Sequence, residues 1–198
     1  MKLLKKYWLS LVIIALCIVA DIITKLIITN NTEWTANDSG KIINVKSIEV
    51  IEGFFNITYA RNTGAGWSIL SDSRIFLLII TFIAFGVFVY LLKDIDFKKH
   101  RYYSIGISLM VGGTIGNFIE RLGKGYVTDF LDFIIFGYDF PIFNVADMCL
   151  VAGAIGLLIS ILLTKENVFE FKKSSSPLDN QVDVENDNSS EVDKENND

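Results

Sequence analysis

Two aspartates, Asp129 and Asp147, stand where an ionised carboxylate is hard to keep. Asp147 closes the segment Pro141-Ile142-Phe143-Asn144-Val145-Ala146-Asp147, which opens an apolar stretch running to Leu163. Asp129 lies in the largely apolar Val127-Thr128-Asp129-Phe130-Leu131-Asp132-Phe133, a short connection able to reach back to Asp147. A carboxylate just below a membrane surface must be protonated or find a partner. Two that share a site hold one proton between them, since like charges a few ångströms apart cannot both ionise cheaply. The ionised member can take a proton from water, while the protonated member polarises a scissile carbonyl and helps the amine leave. That is peptide hydrolysis with no metal and no cofactor. The same spacing suits a proton relay in a transporter, or acids satisfied by Arg121 or Lys25, and spacing alone does not choose. His100 is the single histidine, in the run Lys98-Lys99-His100-Arg101, and Cys17 and Cys149 each sit in an apolar run. Neither a Ser/His or Cys/His arrangement nor a metal or disulfide framework follows from them.

Other polar residues beside the apolar runs also ask for a reason. Asp21 and Lys25 are four apart on one helix face, with the acid N-terminal to the base, which reads first as an ion pair at the end of that helix. Asn117 and Arg121 share a face in the same way, and could bind peptide carbonyls or lipid phosphate, or act as inter-helix glue and a snorkelling cation. Gly112 and Gly116 make a small-xxx-small face for close helix approach. Pro141 suits the first turn of a helix, and Asn144 and Asp147, three apart, share one face of its first two turns.

These groups must be positioned by membrane helices. The chain has 198 residues, 51% of them hydrophobic, with a mean hydropathy of +0.41. Four apolar stretches approach the roughly twenty residues of a span, at about 7–28, 75–92, 102–119 and 142–163. The first lacks a small-x-small cleavage site and carries Asp21 and Lys25, so it reads as a span rather than a cleaved leader. Lys2, Lys5 and Lys6, the cluster Lys93–Arg101, and Lys165, Lys172 and Lys173 fall on one side of a four-span bundle. Both termini are then cytoplasmic, and the other two connections lie outside. The first of these, about 41–70, is β-rich, with Asn62-Thr63-Gly64 as a turn, and should form a small extracytoplasmic sheet between helices 1 and 2. Residues 172–198 carry the whole net charge of −5 and read as a disordered, solvated cytoplasmic tail after a transmembrane domain of 1–171. Nothing points to a nucleic-acid partner.

The motifs Asp21-x-x-x-Lys25, Arg61-Asn62-Thr63-Gly64-Ala65, Gly112-Gly113-x-x-Gly116-Asn117-x-x-x-Arg121, Val127-x-Asp129-Phe130 and Phe143-Asn144-Val145-Ala146-Asp147 occur in that order. This set resembles the bacterial lipoprotein signal peptidase family (signal peptidase II), from the first span to the end of the fourth. The resemblance implies an intramembrane aspartic endopeptidase of the cell membrane that cuts a prolipoprotein just before a diacylglyceryl-modified cysteine. It carries the two catalytic aspartates onto Asp129 and Asp147. The supporting and substrate-binding positions fall on Asp21, Lys25, Asn62, Gly64, Asn117, Arg121 and Asn144. It further implies contact with membrane lipid, inhibition by a globomycin-type cyclic peptide, and a monomer with its site facing the extracytoplasmic side. The chain departs from the family pattern at Ile22, Glu120, Met148 and Gly64-Ala65-Gly66-Trp67. None of these removes a proposed catalytic group.

Overall fold

The computed structural model describes residues 2–36, 42–64 and 74–174. The acidic tail beyond 174 and the Ala65-Gly66-Trp67 part of the motif lie outside the described residues. Helix α1 covers Lys2–Asn31, and strands β1 (Trp34–Ala36), β2 (Ile42–Val45), β3 (Ile48–Ile51) and β4 (Phe55–Asn62) follow. Helices α2 (Arg74–Leu91) and α3 (Arg101–Gly123) come next, joined through a short 3-10 turn, then β5 (Val127–Ile135), β6 (Tyr138–Asp139) and α4 (Val145–Ser174).

Among the described residues, three helical stretches are long and apolar enough to cross a membrane: Lys6–Asn31, Ile75–Asp94 and Val145–Leu163. Their large apolar side chains point outward. Trp8, Leu16 and Ile23 of α1, Ile75, Phe82 and Ile83 of α2, and Val151, Ile155 and Leu158 of α4 are all exposed. In water this would be ruinous; in hydrocarbon the exposed apolar belt is the stable arrangement. Helix α3 is the exception. It is long, but its buried face carries Ser104, Ser108, Thr114, Asn117 and Glu120 between glycines, which lowers its hydropathy. The stretch expected at 102–119 is therefore a helix whose inward side is polar. Ser108 and Thr114 return their hydroxyls to the backbone carbonyls of Ser104 and Met110, each at 2.7 Å, so neither is left unpaired.

Helix α3 packs against α1 and α2. The expected small-residue face makes the first of these contacts. A β-carbon on Gly112 would stand 2.7 Å from Cys17 Cβ, and one on Gly116 would stand 2.6 Å from Asp21 Oδ2 and 3.2 Å from Ala146 Cβ. Only glycine lets α1 and the start of α4 come that close.

The sheet differs from expectation in its membership. β1 and β2 pair as a two-stranded ribbon, while β3-β4-β5-β6 form an antiparallel sheet of four. Half of that sheet thus comes from the connection after α3, and Asp129 sits on a nine-residue strand rather than a short loop. Phe55 stacks on Phe133 at 4.5 Å between ring centroids, and Phe133 on Phe143 at 5.7 Å. These rings fix the register where β4, β5 and the approach to α4 meet.

The start of α4 also needs correcting. The helix begins at Val145, so Pro141 precedes it and Asn144 is its N-cap, outside the first turn. Phe143 is held as an extended residue by β5 instead. Its N–H donates to Leu131 O at 3.1 Å, and its carbonyl accepts from Phe130 N at 3.0 Å and Leu131 N at 2.8 Å.

Because Gly116 faces a pinned carboxylate and a helix start, Gly116→Ala should destabilise the protein by roughly 1–3 kcal/mol through overpacking. Thermal unfolding in detergent measures it, and an unchanged transition would refute the close-approach reading.

Candidate active site

Each carboxylate is placed by a different kind of element. In the β4–β5 register Ala60 stands opposite Asp129 and Asn62 opposite Val127, so Asn62 is the diagonal neighbour of Asp129 on the same face. Asn62 Nδ2 donates to Asp129 Oδ2 at 2.9 Å. Asp147 is the third residue of α4, and it closes a reciprocal cap with Asn144. Asp147 N–H donates to Asn144 Oδ1 at 3.0 Å, and Asn144 N–H donates to Asp147 Oδ2 at 3.2 Å. This is a capping box with Asn and Asp in the two roles. A further amide at that helix end is also satisfied, since Ala146 N–H donates to Asp21 Oδ1 at 2.9 Å.

One side chain joins the halves. Asn144 Nδ2 donates to Asp129 Oδ1 at 2.6 Å and to Asn117 Oδ1 at 3.1 Å, while its own oxygen serves the Asp147 amide. Asn117 Nδ2 in turn donates to Asp147 Oδ1 at 2.8 Å. Every oxygen of the two carboxylates thus receives a neutral donor. Both acids, with Asn62, Asn117 and Arg121, line one cavity of about 640 Å³ that is walled on its other side by Tyr138–Phe143 and Val151. Burial, reinforced by the negative charge of Asp147, pushes the Asp129 carboxyl up to about 7, against the opposing hydrogen bonds from Asn62 and Asn144.

Asp21 and Lys25 stand behind this layer, as an ion pair rather than in the cavity. Lys25 is buried and lies 2.7 Å from Asp21 Oδ2 and 3.2 Å from Glu120 Oε2, and it also donates to Asn117 Oδ1 at 3.0 Å. Gly64 N–H donates to Asn62 Oδ1 at 2.9 Å, a turn that fixes the Asn62 amide. Its carbonyl accepts a long 3.4 Å bond from Arg121 Nη2, while Arg121 Nε is buried with no hydrogen-bond partner. The sequence-derived set Asp21, Lys25, Asn62, Gly64, Asn117, Arg121, Asp129, Asn144 and Asp147 is therefore contiguous.

Further residues brace the site from outside that set. Glu120 takes Thr128 N–H on Oε2 and both Thr128 Oγ1 and Lys124 Nζ on Oε1, each at 2.8 Å, which ties α3 to the residue before Asp129. Arg61 lies over Trp34 at 4.5 Å and over Tyr126 at 4.8 Å, bracing the end of β4 from which Asn62 projects. Burial, then its hydrogen bond with Tyr59, pushes the Tyr126 phenol up to about 12, so it stays neutral beside that guanidinium. The i,i+4 spacing of Glu120 and Lys124 was the available hint for Glu120; nothing local marked Trp34 or Tyr126. Among the described residues, no group of three or more His, Cys, Asp or Glu is arranged to hold a metal ion.

The helices and this cluster define a helical membrane protein with a small sheet and a carboxylate pair, Asp129 buried and Asp147 half-buried. Residues 13–163 match the family model described as signal peptidase (SPase) II, and the chain belongs to that family. It is accordingly a membrane-embedded peptidase, a hydrolase. It is 41% identical over 165 residues to the lipoprotein signal peptidase of Staphylococcus aureus (strain bovine RF122 / ET3-1), covering 82% of this chain and 94% of that protein. The lipoprotein signal peptidase of strain JH9 is 42% identical over 166 residues with the same coverage. Two solved bacterial membrane enzyme structures are also similar. One has a TM-score of 0.66 and 42% identity over 80% of this chain and 90% of that one. The other has a TM-score of 0.65 and 40% identity over 77% and 92%.

Removing a single member of a buried ion pair leaves the other charge uncompensated. Lys25→Met, which strands Asp21 and Glu120, should therefore cost about 3–5 kcal/mol. Chemical unfolding in detergent reads this directly; a cost under about 1 kcal/mol would mean the cluster is wetter than its burial implies.

Proposed function

We propose that this chain removes the signal peptide from diacylglyceryl-modified prolipoproteins, cutting N-terminal to the lipidated cysteine by a water held between Asp129 and Asp147. The observation that carries this reading is the single Asn144 side chain that touches Asp129 while capping Asp147, in a cavity large enough for an extended peptide. Two acids linked through one rigid amide at the seam of a strand and a helix are preorganised for one shared proton.

Asp129, whose carboxyl is raised to about 7, holds that proton near neutrality. Asp147 takes a proton from the water as it attacks the scissile carbonyl, and Asp129 donates to the carbonyl oxygen. In collapse of the tetrahedral intermediate the proton passes to the leaving amine, and the pair returns to a single shared proton. Arg121, on the cavity wall, contributes its guanidinium as a donor to a substrate carbonyl next to the cut. Asn62 and Gly64, at the end of β4, flank the extended peptide, with backbone hydrogen bonds as the main grip.

The same reading fixes the membrane arrangement. All four helices of residues 1–171 cross the bilayer, with α3 shielded by its neighbours; both termini are cytoplasmic, and the site faces the extracytoplasmic side. The signal helix of the substrate lies beside the spans, its acyl chains remain in lipid, and a globomycin-type inhibitor competes for the cavity. The enzyme works as a monomer, and residues 172–198 are dispensable for cleavage.

The purified protein in vesicles, given a lipid-modified prolipoprotein, should release the signal peptide. Asp129→Asn and Asp147→Asn should each lower the rate by roughly 10²–10⁴-fold while leaving the fold intact. Residual full activity in either variant would reject the pair, and an inactive unaltered protein would reject the peptidase. A transporter reading predicts instead proton flux that is lost in the same variants.

The pH profile gives an independent check. The required form has Asp129 protonated, and its raised value keeps that proton through the acidic range, so activity limited by it is complete below 7 and lost above. The alkaline limb of kcat/KM should turn near pH 7 and fall about tenfold per unit beyond it. A limb that turns above pH 9 would take Asp129 out of the acid role.

A further inference from the structure

The chemistry leaves the far end of the sheet unused. β5 and β6 form a hairpin with Ile134 opposite Asp139 and Ile135 opposite Tyr138. Its two turn residues, Phe136 and Gly137, both have positive φ, 52° and 78°. Turns of this hand favour Asn-Gly or Gly-Gly, because a bulky side chain is strained there. Phe136 recovers nothing by packing, for it is fully exposed, at 105% of the reference area. Ile135, Tyr138 and Phe140 are exposed around it. From Phe133 to Phe143 the only charged residue is Asp139. A strained, solvent-facing aromatic has no explanation in folding, and such outliers point to function.

The way the hairpin is tethered indicates what covers it. Phe140 N–H donates to Phe133 O at 2.9 Å, and Phe143 is bonded to Leu131 on both sides, so the hairpin is fastened to the short run that enters α4. The first exposed side chains of that helix are Met148 and Val151, the start of an apolar belt that runs along a span. The tip stands three residues beyond the Phe133–Phe140 closure, roughly 10 Å at the rise of a strand. The interfacial layer on each side of a bilayer is roughly 6 Å deep. A hairpin tied to the mouth of a span is thus within reach of the layer where aromatic rings concentrate.

We propose that the β5–β6 hairpin is an interfacial anchor that inserts Phe136 among the headgroups and upper acyl chains of a glycerophospholipid leaflet, the leaflet at which α4 begins. Tyr138 and Phe140 flank the inserted ring. Both also line the cavity that holds Asp129 and Asp147, so the anchor seats the cavity mouth at the lipid surface. Because β5 carries Asp129, the depth of the strand in the bilayer becomes the depth of the carboxylate.

The test needs no catalytic activity. F136C, in a background where Cys17 and Cys149 are alanine, carries an environment-sensitive fluorophore in phosphatidylcholine–phosphatidylglycerol vesicles. K46C is the aqueous reference, since the Lys46 side chain is 73% exposed. The F136C label should emit to the blue of the reference, be quenched severalfold by lipids brominated high on the acyl chain, and resist iodide. Emission and iodide access equal to K46C would overturn the anchor. Shielding that appears only with added lipid-modified peptide, or that grows with protein-to-lipid ratio, would overturn it in favour of substrate or a second copy. Should the alanine background not fold, F136W with native cysteines reads the same bromolipid quenching against the unaltered protein. A Y138C label should lose at least half of its lipid quenching when F136N is added. Asn suits the positive φ, so unfolding in detergent should be unchanged or delayed. Unaltered quenching would remove Phe136 from the role.

Discussion

The Lys25 ammonium, enclosed by Asp21, Glu120 and the Asn117 oxygen, orders everything above it. An ammonium can only donate, so the face Asn117 turns to it must be the carbonyl. The amide hydrogens of Asn117 are thereby committed to Asp147. Asp21, neutralised by the same lysine, has its other oxygen free to hold the second amide of α4. Glu120, neutralised in part by it, has carboxylate capacity left to hold Thr128 at the start of β5. One buried charge therefore reaches α1, α3, α4 and β5, the elements that carry or brace the acid pair.

A buried ionic cluster is a weak source of net stability, because desolvation consumes most of the Coulombic gain. Its value here is specificity of geometry. Exposed apolar belts on α1, α2 and α4 are equally content against lipid at any rotation, and so do not determine how the helices face one another. The polar cluster does, since any other rotation would leave a charge unpaired in hydrocarbon. The glycines at 112 and 116 let the helices close on it. Directional polar contacts select the arrangement; small residues permit it.

How much of this was legible in the sequence follows from the range of each signal. Helical spacing is local, so Asp21 with Lys25 could be paired from the text alone, and the structure joins them at 2.7 Å. The bringing together of Asp129 and Asp147 was an inference from the cost of a lone carboxylate near lipid, and the cavity contains both. Strand pairing is not local. β5 has apolar residues on both faces where it is buried, so it read as a hydrophobic connection, and its pairing with β4 depends on residues about seventy positions earlier. Pro141 misled for a related reason: it looks like a helix opener, yet Phe143 is claimed by β5, and Asn144 makes a better cap two residues before the second amide it leaves to Asp21. Arg61 was visible within a motif, but its aromatic bracket comes from Trp34 and Tyr126 on separate segments.

The placement of one acid on a strand and the other at a helix start has a consequence of its own. Asp147 sits at a helix N-terminus, where the dipole favours negative charge, whereas Asp129 projects from a sheet, which has little net dipole to offer. Burial and the charge of Asp147 outweigh the two amide hydrogen bonds and the more distant Lys25 charge, and the Asp129 carboxyl is pushed up to about 7. The Asn144 amide then matters less as a source of energy than as a spacer that keeps the strand-borne proton beside the helix-borne charge. Such a pair needs a sheet docked rigidly on a membrane helix. That accounts for a fold that spends three backbone bonds joining Phe143 to β5 immediately before α4 begins.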